Sequence, residues 1–195
     1  MAIQRGERLS VFEIKILGRG GQGGKSLGEI LSKSAVSGGK FVQAFPEYGA
    51  ERTGAPVRSF VRVSNEEILI HTPIEAPDIV VVIDDTLLKN PSLIGELRRD
   101  SKIIVNTRLE PEMVKKLLNF TGEVHDIDAD SIALEELGNA KHINTVLLGI
   151  IVRVSSKVFD LDEVKKEIRV KFGRKLSPEI IEHNINALMR GYKTE

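Results

Sequence analysis

Cysteine is absent from this 195-residue chain. That absence excludes disulfides, thiol nucleophiles, cysteine-ligated zinc and any iron–sulfur cluster held by the chain alone. An excess of one charge is also missing, since 28 Lys and Arg stand against 28 Asp and Glu. Bulk charge therefore gives no footing for a nucleic-acid partner. Long apolar runs are missing too. The longest is Val146 to Val152, interrupted by Gly149, where a membrane span needs roughly 20 residues. MAIQRGERLS at the N-terminus has no apolar signal region, so the expectation is a cytoplasmic protein with no membrane contact. His71, His125, His142 and His183 show no metal-ligand spacing, and no Ser sits in a GxSxG frame. No catalytic constellation is complete, and no metal or catalytic residue is assigned.

What is present reads as an α/β domain. Val11–Leu17 alternates like a strand, Gly18–Gly24 turns, and residues 25–37 place Leu27, Ile30, Leu31 and Ala35 at helical spacing. Phe41–Phe45 is a second short strand, so the opening reads as a βαβ unit. Val57–Val63 alternates, Ser64-Asn65-Glu66 turns and Glu67–His71 returns, which predicts a β-hairpin added to the sheet. Ile79–Ile83 and Lys102–Val105 are apolar throughout, as strands covered on both faces are. Helical segments are expected within 87–99, broken at Pro91, and at 111–119 and 130–137, with a last short strand at 123–127. Residues 143–155 are apolar nearly all round, which requires burial against the sheet or against a partner. Two amphipathic helices follow, capped by Asp160 and Ser177. The expected architecture is a mostly parallel, twisted, mixed sheet with helices on both faces. It forms one domain over 1–195, with an α/β core at about 11–155 and C-terminal helices at 156–195.

The strongest local signal is Gly18-Arg19-Gly20-Gly21-Gln22-Gly23-Gly24-Lys25-Ser26. Gly18, Gly20 and Gly23 satisfy GxGxxG between a strand and a helix, where backbone N–H groups face an anion. A dinucleotide site also wants an acid at the end of the second strand, but that strand ends Ala44-Phe45. A P-loop wants Gly where Arg19 stands. Two readings stay open: a cofactor- or anion-facing loop through Gly18, Gly20, Gly21, Gln22 and Gly23, or glycines that serve only tight packing. The loop after the second strand offers Tyr48, Glu51 and Arg52 for partner or substrate contact, beside the glycine loop. Asp84 and Asp85, at a strand end, suit either a magnesium or base role or, more commonly, capping.

FEIKILGRGGQG (Phe12–Gly23), VQAFPEYGAERTGAPVRSF (Val42–Phe60), APDIVVVIDD (Ala76–Asp85) and the Asn144-Thr145…Leu148-Gly149 segment together resemble the gamma subunits of pyruvate:ferredoxin and related 2-oxoacid:ferredoxin oxidoreductases. The resemblance spans about residues 11–155. It departs at Gly24-Lys25, where an apolar residue usually follows GGQG, and at Thr53, where a second Arg is common. Gly54-Ala55-Pro56 is closer to the pyruvate and branched-chain members. The resemblance implies a heterotetramer with alpha, beta and delta subunits. That complex, a pyruvate synthase in reverse, oxidatively decarboxylates a 2-oxoacid with coenzyme A and reduces ferredoxin. Thiamine diphosphate and magnesium are implied in the alpha and beta chains, and iron–sulfur clusters in delta and beta. This chain alone would hold no cofactor. Apart from the resemblance, a stand-alone nucleotide- or anion-binding protein and a purely structural scaffold are the rivals. The apolar helix around Val146–Val152, added to the two C-terminal amphipathic helices, offers more apolar surface than one sheet face needs, so the isolated chain is expected to dimerise or aggregate unless a partner covers it.

Overall fold

The computed structural model describes residues 11–48, 54–173 and 175–194. Six strands form one sheet: β1 Phe12–Arg19, β2 Phe41–Tyr48, β3 Pro56–Ser64, β4 Ile79–Val82, β5 Lys102–Asn106 and β6 Glu123–Ile127. Their order is β2-β3-β1-β4-β5-β6. β1, β4, β5 and β6 run parallel, while β3 is antiparallel to both β1 and β2. The mixed sheet expected from the sequence is therefore present.

The hairpin partner differs from expectation. β3 pairs with the preceding strand β2, in a register that sets Tyr48 opposite Val57, and not with a strand after Ser64–Glu66. Both edges of β3 are occupied, by β1 and β2, and nothing remains for a returning strand at Glu67–His71. That segment is not a strand. Its carbonyls instead accept side-chain donors: Ile68 O from Gln43 at 3.2 Å and Ile70 O from Arg62 at 3.5 Å. Alternation identified β3 but could not say which neighbour it would choose. The βαβ unit is correspondingly split. β1 and β2 are parallel to each other, with β3 inserted between them.

Helices cover both faces unequally. On one face lie α1 (Gly24–Ser37), α4 (Ala129–Leu137), α5 (Asn144–Val154), α6 (Leu161–Phe172) and α7 (Pro178–Lys193). The other face carries a 3-10 turn at Asp85–Lys89, α2 (Pro91–Ile94) and α3 (Pro111–Leu118). Ile14 and Ile16 of β1 enter the first core and Leu17 the second, as a period of two requires. Lys15 shares the thinner face. Its ammonium donates to Ile94 O at 2.7 Å. Burial pushes its pKa down to about 8 from 10.5, with nearby Arg58 adding to the shift and Glu47 opposing it.

The apolar helix α5 has both its faces used within the chain. Val146 to Val152 are almost wholly buried. One face rests on the sheet, and α7 packs on the other with its axis very close. A Cβ on Gly149 would fall 2.1 Å from Leu188 O, and one on Gly191 2.0 Å from Val146 O. Two glycines thus let the backbones touch. With the sheet on one side and α7 on the other, α5 itself offers no apolar face to a second copy. The C-terminal helices begin as expected: Asp160 accepts from Asp162 N and Glu163 N, and Ser177 accepts from Ile180 N, caps worth about 1 kcal/mol each.

Candidate functional site: a glycine cleft and its acidic neighbour

The carboxyl ends of β1, β4, β5 and β6 share one edge of the sheet, where open α/β sheets bind ligands. The β1–α1 loop turns tightly there. Gln22 N donates to Arg19 O at 3.0 Å, and Gln22 Oε1 accepts from Arg19 N at 2.7 Å. Gly21 and Gly23 have φ of +93° and +79°, left-handed values that favour glycine. Gly23 is also the N-cap of α1. A Cβ there would lie 2.2 Å from Asn144 Nδ2, which places the starts of α1 and α5 in contact. The α1 N-terminus has no side-chain cap and no acid in its first turn. Its positive dipole end therefore faces a cleft of about 350 Å³ lined by the loop glycines, Arg19, Lys25, Ser26, Glu29 and Val57. Around a Cβ on Gly21 there is nothing within 4 Å among the described residues.

Gly18, Gly20, Gly21 and Gly23 line that cleft; Gln22 faces away from it. The Gln22 amide donates to Asp84 Oδ2 at 2.8 Å. Just before β3, Ala55 lies against the glycine loop: Gly20 N donates to Ala55 O at 3.0 Å. Tyr48 ends β2 opposite Val57, while Glu51 and Arg52 lie outside the described residues.

Arg19 and Asp84 organise the junction, which the sequence reading did not foresee. The Arg19 guanidinium donates to Asp84 Oδ2 at 3.0 Å, to Gly54 O at 3.0 Å and to Thr86 Oγ1 at 2.7 Å. Asp84 also caps the 3-10 turn, accepting from Thr86 N at 3.1 Å. Burial would raise the Asp84 carboxyl, but hydrogen bonds from Thr86 and Gln22 and the charge of Arg19 outweigh it and hold the carboxyl below its usual range. The one sequence signal was Arg19 itself, a long side chain within a run of glycines.

Beyond Asp84 lies a second cleft of about 380 Å³, lined by Asp85, Asn106, Thr107, Arg108, Asp128 and Asp130 among others. Its polar groups satisfy one another. Thr107 Oγ1 donates to Asp85 at 2.7 Å, Asn106 Nδ2 to Asp130 at 2.9 Å, and Arg108 Nε to Asp128 at 2.8 Å. Asn106 Oδ1 accepts from Ala129 N at 2.9 Å, which locks β5 to the start of α4. Among the described residues no group of three His, Cys, Asp or Glu is placed to hold a metal ion, and no helix is long and apolar enough to cross a membrane.

Fold and site define an α/β protein with a glycine-lined cleft at the carboxyl edge of its sheet, beside the start of α1. Known proteins are similar to this chain in sequence and fold. The family model described as pyruvate ferredoxin/flavodoxin oxidoreductase matches residues 13–194. Pyruvate synthase subunit PorC of Thermotoga maritima is 46% identical over 182 residues, 93% of each chain. The common gamma subunit of the pyruvate/ketoisovalerate oxidoreductases of Pyrococcus furiosus is 38% identical, covering 95% of this chain and 98% of that one. The crystal structure of the Thermotoga maritima subunit superposes with a TM-score of 0.85 at 43% identity, covering 94% of this chain and 96% of that one. The 2-oxoglutarate:ferredoxin oxidoreductase of Magnetococcus marinus, solved with 2-oxoglutarate, coenzyme A and succinyl-CoA bound, shares the fold. Its TM-score is 0.74 at 21% identity, over 93% of this chain and 30% of that one. The chain belongs to the pyruvate ferredoxin/flavodoxin oxidoreductase family.

Proposed function

We propose that this chain is the gamma subunit of a cytoplasmic pyruvate:ferredoxin oxidoreductase, working with alpha, beta and delta subunits and passing electrons to ferredoxin through the complex. The observation that carries the reading is 46% identity to a pyruvate synthase subunit across 93% of both chains. The chain acts as one domain over 1–195, with α7 packed on α5 joining the C-terminal helices to the α/β core.

In this reading the chain supplies a wall and not the redox chemistry. With no cysteine it has no thiolates for a cluster, so the iron–sulfur centres belong to its partners. The glycine cleft fits a phosphate-bearing group: Gly18, Gly20, Gly21 and Gly23 admit close backbone approach, and the α1 N-terminus with Lys25 and Ser26 favours negative charge. Coenzyme A, which accepts the acyl group, and thiamine diphosphate are the phosphate-bearing groups of such a complex.

The test is reconstitution. The purified chain alone gives no pyruvate-dependent reduction of a viologen dye, and activity requires the alpha, beta and delta chains. Turnover by the isolated, metal-free chain would refute the reading.

A further inference from the structure

We propose that Asp84 is a positioning residue for the glycine cleft, acting through Arg19 and Gln22. The inference rests on the reading that this cleft faces a phosphate-bearing cofactor of the complex.

Three chain segments meet at one carboxylate. From the end of β1 and the loop after it come two long polar side chains, Arg19 and Gln22, both donating to Asp84 Oδ2. From the β2–β3 connection comes Gly54, whose carbonyl is held by the other arm of Arg19. From the end of β4 comes Asp84 itself, with Thr86 accepting from Arg19. Gly20 N to Ala55 O closes the circuit through the backbone. The glycines that line the cleft have no side chains with which to fix themselves, and among the described residues nothing lies near the Cβ position of Gly21. Their conformation is therefore set by Arg19 and Gln22, and those two are set by Asp84. Charge-assisted bonds to one oxygen make the arrangement stiff. A backbone donor array lends most to an anion when it is fixed before binding. Asp84 lines the acidic cleft and not the glycine cleft, so its contribution is to aim the loop, not to touch the ligand.

The test uses Asp84→Asn in the reconstituted four-chain complex. The remaining amide oxygen still serves Thr86 N as a cap, while the amide nitrogen cannot accept from Arg19 or Gln22. Coenzyme A and thiamine diphosphate are titrated separately at matched assembly, with Gly21→Val as a parallel probe of the cleft. The expected result is a roughly tenfold rise in the apparent KM of one cofactor, with kcat at saturation and the KM for pyruvate close to wild type. A purely structural residue would change assembly or Tm and leave both titrations unmoved. If Gly21→Val shifts a titration and Asp84→Asn does not, the positioning role is overturned and the cofactor-facing reading survives. If neither shifts, that reading falls and this inference with it. Should Asp84→Asn fail to assemble, Gln22→Met supplies the readout, since Gln22 lies outside the glycine cleft and the variant loses both the donor to Asp84 and the acceptor for Arg19 N. Wild-type titrations, or failure to assemble, for that variant overturn the proposal.

Discussion

Two clefts sit side by side at the carboxyl edge of the sheet, and their polar groups are spent in opposite ways. In the acidic cleft Asp85, Asp128 and Asp130 are each engaged by a neighbouring donor from β5, the loop after it or α4. In the glycine cleft the α1 N-terminus has no side-chain cap and no first-turn acid. A group of carboxylates at a strand end is a conspicuous feature of a sequence, yet here it is fastening. The inconspicuous side is the open one, because its donors are backbone N–H groups that belong to no residue type. Asp84 and Gln22 stand between the two and connect them.

The largest expected effect comes from the platform beneath both clefts. Gly149→Ala sets a methyl 2.1 Å from Leu188 O and 2.5 Å from Tyr192 N. Both obstacles are backbone, so α5 and α7 must separate, at a cost of about 3 kcal/mol or more. Urea denaturation of the purified chain measures this, and an unchanged midpoint would show that the crossing is looser than the structure has it.

Thr107→Val tests the assignment of the acidic cleft as fastening. It removes the donor to Asp85 and the acceptor for Leu109 N, with an expected loss of about 1–2 kcal/mol. The coenzyme A and thiamine requirements of the assembled complex should not change. A changed requirement would make the acidic cleft a ligand site and break the contrast.

The smallest effect is the pH dependence. Burial opposes ionisation of both Asp84 and Asp128. Hydrogen bonds from Thr86 and Gln22 to Asp84, and from Ser131 and Arg108 to Asp128, nonetheless leave both below the ordinary carboxylate value. A carboxyl with a lowered folded pKa stabilises the fold fully above its unfolded value, roughly 3.9. That contribution disappears as pH falls through the folded value. Wild-type stability should therefore fall with acid below about pH 4. The slope should be shallower in Asp84→Asn, as seen in thermal unfolding between neutral and acid pH. An identical slope would mean that Asp84 carries no such coupling.

The sequence by itself determined the parts. Periodicity located the strands and the long helices, and the caps at Asp160 and Ser177 were legible because N-capping is local chemistry between neighbours in the chain. The glycine loop was legible for the same reason: its turn lies within six residues. The motifs of Phe12–Gly23 and Val42–Phe60 placed the chain in its family. Only the tertiary structure decided which strand β3 would pair with, since its alternation suits any neighbour and the choice fell to the register with β1 and β2. Only it showed α7 closing over α5, because an all-apolar helix states that it will be buried and not by what. And only it joined Arg19 to Asp84, 65 positions apart. An ion pair between distant segments leaves no spacing in the sequence; it exists because parallel strands bring their ends to one edge.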